Sequence, residues 1–83
     1  MARVAPDIAE ALAGDPTVRL QAIVTAASDL DSLLAVLTRD IKVTHQYRLI
    51  RGIAVEAPAG ALRQLVRSKA VASIEPVRDV THQ

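Results

Sequence analysis

Residues 18–24 alternate, placing Val18, Leu20, Ala22 and Val24 on one side, the period of a strand buried on one face. The period then changes. Leu30, Leu33, Leu34, Leu37 and Ile41 fall at helical spacing and form one apolar stripe. Ser28 stands where a cap belongs, with Asp29 and Asp31 in the first turn, where the macrodipole favours negative charge. Lys42 to Arg48 reads as a second strand, with Val43, His45, Tyr47 and Leu49 on one face. Gly52 is the residue that tolerates a positive φ cheaply, so a turn or bulge is expected at Ile50–Gly52. Ile53–Ala57 follows as a third strand. Pro58 suits the first turn of a second helix that carries Ala61, Leu62, Leu65 and Val66 inward. A fourth strand starts near Val71 and includes Ile74.

Ahead of these elements, Asp7 and Glu10 have capping-box spacing at the start of a short helix ended by Gly14-Asp15-Pro16. Three regions result: an N-terminal helical appendage over 1–17, a domain over 18–77, and an extended C-terminal tail over 78–83. The order β-α-β-β-α-β predicts an α+β, ferredoxin-like sandwich, a four-stranded antiparallel sheet with two helices on one face. Leu20, Leu33, Leu37, Val43, Leu62, Leu65 and Ile74 form its expected core.

Composition narrows the chemistry. The chain has 83 residues and no cysteine, so disulfides and thiolate metal sites are excluded. Phe and Trp are absent and Tyr47 stands alone, so the core is aliphatic. Ten basic and nine acidic residues leave a net charge of +1. Without a basic excess or stacking aromatics, a nucleic-acid surface is disfavoured. No stretch approaches the roughly 20 apolar residues of a membrane span. Met1 to Asp7 lacks the apolar run of a secretory signal, which points to the cytoplasm; a prodomain cloned behind an added methionine reads the same way.

Catalytic constellations are not found. His45 lies mid-strand and His82 in the tail, with no His/Glu pair at helical spacing to hold a metal. Ser28, Ser32, Ser68 and Ser73 have no positioned base nearby in sequence. Gly14, Gly52 and Gly60 are too dispersed for a phosphate loop. The expectation is a non-enzyme without cofactor. The most unusual feature is the carboxyl end, where the strand at Val71–Glu75 runs into a polar tail with no turn residue to fold it back. An extended peptide on a rigid domain is what a protease cleft accepts as an added strand.

Several stretches carry a family resemblance: Val43-Thr44-His45-Gln46-Tyr47, Gly52 opening Ile53-Ala54-Val55, Leu62-Arg63-Gln64-Leu65, and Val71-Ala72-Ser73-Ile74-Glu75. In their order and spacing, from Val18 to Gln83, the chain resembles the propeptide-like inhibitors of subtilisin-type serine proteases. These are the prodomains that fold such proteases and the free-standing inhibitors related to them. The resemblance implies a monomer that reversibly inhibits a subtilisin-like protease and assists its folding. Its sheet would pack on two surface helices of the enzyme. Val80, Thr81, His82 and Gln83 would fill the subsites before the scissile bond, with Gln83 in the primary pocket and Val80 in the apolar pocket three residues back. Glu75 matches a family acid that caps a protease helix N-terminus. The family commonly has a second acid two residues later, where this chain has Val77; losing that cap weakens docking by about 1 kcal/mol. The competing expectation is a non-catalytic module that pairs with itself or a regulatory partner through an edge strand.

Overall fold

In the computed structural model, which describes residues 2–47 and 49–77, the chain is an α+β domain. Its elements are β1 (Arg3–Val4), α1 (Pro6–Leu12), β2 (Arg19–Ala26), α2 (Leu30–Ala35), β3 (Lys42–Tyr47), β4 (Gly52–Pro58), α3 (Ala59–Val66) and β5 (Val71–Pro76). The strands form one five-stranded sheet in the order β1-β5-β2-β4-β3. β2 lies antiparallel to both β4 and β5, β3 lies antiparallel to β4, and β1 runs parallel to β5.

Strand count and order thus differ from the expected four-stranded antiparallel sheet. Arg3 and Val4 pair with Ser73 and Ile74 and make the sheet mixed. Two residues carry too little periodicity to register as a strand in sequence. Their pairing also means that β5 is not the free edge that a self-pairing module would use.

The core lies wholly on one side of the sheet. Ala22, Val24 and Ala26 of β2 and Ile53, Val55 and Ala57 of β4 meet Leu33 of α2 and Leu62 and Leu65 of α3 in a single buried cluster. Ile8 and Leu12 of α1 join the same cluster, so residues 2–12 share the core of the rest. Of the expected core, Leu33, Leu62, Leu65 and Ile74 are buried, and Leu20 and Leu37 are partly buried. Val43 is not, being 39% exposed on the outer strand, and Val18, expected to face inward, lies before β2 and is exposed. Alternation reports which side a residue faces, not whether a neighbour covers that side.

Both N-terminal caps shift from their expected positions. In α1 the cap is Ala5, with no side-chain bond, because Pro6 takes the first helical position that its fixed φ suits. Asp7 falls inside the first turn. In α2 the cap is Asp29 rather than Ser28, its Oδ1 accepting the Ser32 N–H at 2.7 Å. Pro58 likewise caps α3 from outside the helix. The α2 stripe extends past the helix itself, which stops at Ala35, next to the β-branched Val36 and Thr38. Tight turns then bring Ile41 into the core without further helix.

These assignments have measurable consequences. Leu33→Ala should cost about 2–5 kcal/mol in urea unfolding, whereas Val43→Ala should stay within about 1 kcal/mol of the parent. The Ser32 hydrogen bonds, first from the side chain and then from the backbone, hold the Asp29 carboxyl below its ordinary range. A depressed folded-state value contributes stability above the unfolded pKa, and that contribution is lost as pH falls through the folded one. Asp29→Ala should therefore melt lower than the parent at neutral pH. The gap should close on acidification below about pH 4.

Candidate functional site

Cross-strand partners share a face of the sheet, so the register defines the side opposite the helices. Across one row stand Tyr47, Gly52, Thr25, Ser73 and Arg3. The next row holds His45, Ala54, Ile23 and Glu75, and the third holds Lys42, Glu56 and Gln21. No described helix covers this face.

A bulge creates its outer border. Val43 pairs with Val55 but His45 pairs with Ala54, leaving Thr44 as an extra residue whose Oγ1 donates to the Ala54 carbonyl at 3.2 Å. One inserted residue reverses the faces. His45 and Tyr47 therefore lie opposite to Val43, against the expectation of a shared face. Their rings stack edge to face with centroids 4.5 Å apart. Leu49 belongs to neither face, being 99% exposed in the turn that follows.

Between this aromatic border and Ser73–Glu75 the face carries the short side chains of Ala54 and Thr25, with Ile23 beside them, and Gly52 and Ala54 are buried. Gly52 is small because of space, not because of the positive φ expected near it. A Cβ there would approach the Val24 carbonyl oxygen and the Ile50 side chain, each at 3.2 Å. The positive φ of the turn belongs to Arg51, at 48°. Arg51 is held there by its guanidinium donating to the Ser28 carbonyl at 2.7 Å and by its own carbonyl accepting the Ala26 N–H. The face is mixed in charge, and Arg19 and Glu56 approach at 3.7 Å, partly exposed, a pair of little energetic weight.

The predicted site residues divide sharply. Glu75 is exposed on this face, beside Ile23. Val80, Thr81, His82 and Gln83 lie outside the described residues. His45 is an exposed strand residue, and no group of three or more metal-ligating side chains occurs among the described residues. No described helix is long and apolar enough to cross a membrane. Sequence reasoning missed this face, although Gly52, Ala54 and Glu56 alternating with Ile53, Val55 and Ala57 was its visible signal. Family models, curated proteins and solved structures give no match to this chain.

Among the described residues, this face sets Ile23, Thr25, Gly52 and Ala54 between Arg3, His45, Glu56 and Glu75. The two glycines outside the N-terminal segment offer a check on its packing. Gly52→Ala should destabilise, since a ladder carbonyl cannot yield, whereas Gly60→Ala in α3 should stabilise by up to about 1 kcal/mol in thermal melts.

Proposed function

We propose that this protein is a reversible inhibitor of a subtilisin-like serine protease that also assists that protease's folding, and that the open sheet face is its docking surface. The observation that carries the reading is a sheet face that no described helix covers, bordered by an exposed Glu75 on the strand that leads to the carboxyl end. The resemblance running from Val18 to Gln83 assigns the same two regions to the enzyme. On this reading β2-α2-β3-β4-α3-β5 is the ferredoxin-like unit, and β1 and α1 are additions to it.

Docking has two parts. Helices of the protease lie across the face at Ile23, Thr25 and Ala54, and the Glu75 carboxylate meets the unpaired N–H groups of a helix N-terminus. The four residues Val80 to Gln83 enter the substrate cleft as an added strand, so main-chain hydrogen bonds supply affinity and side-chain pockets supply selectivity. Inhibition persists only while the domain stays folded, because an unfolded tail is a substrate.

The alternative, a self-assembly module, would use one of the two sheet edges, the two-residue β1 or the outer edge of β3. The Thr44 bulge and Lys42 both disfavour edge pairing.

Inhibition kinetics against a panel of purified subtilisin-type proteases test the proposal. Deleting Val80 to Gln83 should abolish inhibition and leave the melt nearly unchanged, and Ile23→Arg should weaken it at least tenfold. Leu33→Ala should turn the inhibitor into a slowly degraded substrate. Equal potency after the deletion, or no inhibition of any protease by the parent, overturns the reading.

A further inference from the structure

β5 is gripped on both sides, and the second grip is built from the residues that precede β2. Ala5 N–H donates to the Ile74 carbonyl at 3.0 Å, and Ala2 N–H donates to the Val66 carbonyl at the end of α3 at 3.1 Å. Behind these bonds, Ile8 and Leu12 are buried, and α1 lies against both α3 and β5. The Arg63 guanidinium donates to the Leu12 carbonyl and, at 3.4 Å, to that of Gly14, closing the far end of α1 onto α3.

The pairing has a defined limit. Backbone groups of alternate residues in a strand point to the same side, so Pro76 directs its nitrogen where Ile74 directs its carbonyl, away from β2. Pro76 has no N–H to offer there, and neither has Pro6, where β1 turns into α1. The two strands must part after Ile74. A groove of about 580 Å³ opens at this fork, between Arg3–Asp7 and Glu75–Pro76. The end of β5 at Glu75–Pro76 is thus bounded on one side by the N-terminal segment.

We propose that residues 2–12 are a strap that locks β5 into the sheet. The link from strap to inhibition rests on the function proposed above; the mechanical role of the strap does not. Ala5→Pro isolates it. Ala5 already has φ of −62°, which proline adopts, and Val4 is already extended as a residue before proline must be. The substitution therefore leaves the local backbone angles in place, deletes the N–H bonded to Ile74 and sets the ring Cδ against the Ile74 carbonyl, so that β1 and β5 are pushed apart. Ile53→Val, which thins the core from β4, is the control for a general loss of stability.

Amide hydrogen exchange reads the strap directly. Ala5→Pro should accelerate exchange in β5, relative to the β3 and β4 amides, on the order of tenfold, whereas Ile53→Val should raise exchange evenly. An even rise in Ala5→Pro, or no change in β5, overturns the strap. Against a protease that the parent inhibits, Ala5→Pro should shorten the time before the inhibitor is cleaved several-fold. A loosened β5 with an unchanged lifetime overturns the link to inhibition. If the parent inhibits no protease, the functional reading falls, and the exchange result still decides the strap.

Discussion

The pairing of β2 with β4 and β5 is the interaction on which the rest depends. β2 is the middle strand, and its register with β4 runs unbroken from Arg19–Pro58 to Thr25–Gly52. A slip of one residue on either side would exchange Ala22 and Val24 with Gln21 and Ile23 and remove the core from under the helices. With no Phe or Trp, many small aliphatic contacts must do what a few rings do elsewhere, so a correct register is the main condition for burial. The helices, the strap and the open face are all located by that register.

Putting every helix on one side has a functional corollary. A sheet with one solvated face would ordinarily alternate apolar with charged residues. Here the second face has Ile23, Ala54, Thr25 and Gly52 at its centre and keeps its charges at the rim. The same strand that borders it, β5, carries Glu75 and continues toward the carboxyl end. One rigid element thereby ties the orientation of the surface to the exit of the chain.

Much of this was legible in the sequence where a residue's partner is local. The alternation of β2, the spacing of Leu62 and Leu65, and the apolar start of β5 led to the right elements because burial of one face imposes those periods. The misses have a common cause in tertiary context. Val43 has the right type and phase for the core, but it lies on an outer strand that no helix covers. His45 and Tyr47 changed faces because Thr44 forms a bulge, and a single inserted residue has no sequence signature. Ser28 and Asp29 are both good caps, and only the chain's entry into α2 selects between them. β1 was invisible because its two residues gain their meaning from Ser73 and Ile74, some seventy positions away in sequence. Of the candidate site, the sequence names Glu75, which is exposed on the helix-free face, whereas the grouping of Ile23, Thr25 and Ala54 around it depends on strands being side by side.

The proposed function places the helix-free face against a protease. It is tested most directly by heteronuclear NMR of the labelled protein, titrated with a subtilisin-type protease inactivated at its nucleophile. The account predicts that chemical shifts move and amides gain protection at Ile23, Thr25, His45, Ala54, Ser73 and Glu75, while α1, α2 and α3 remain as in the free protein. Perturbation concentrated on the helices, with that row of strand residues unchanged, would contradict it.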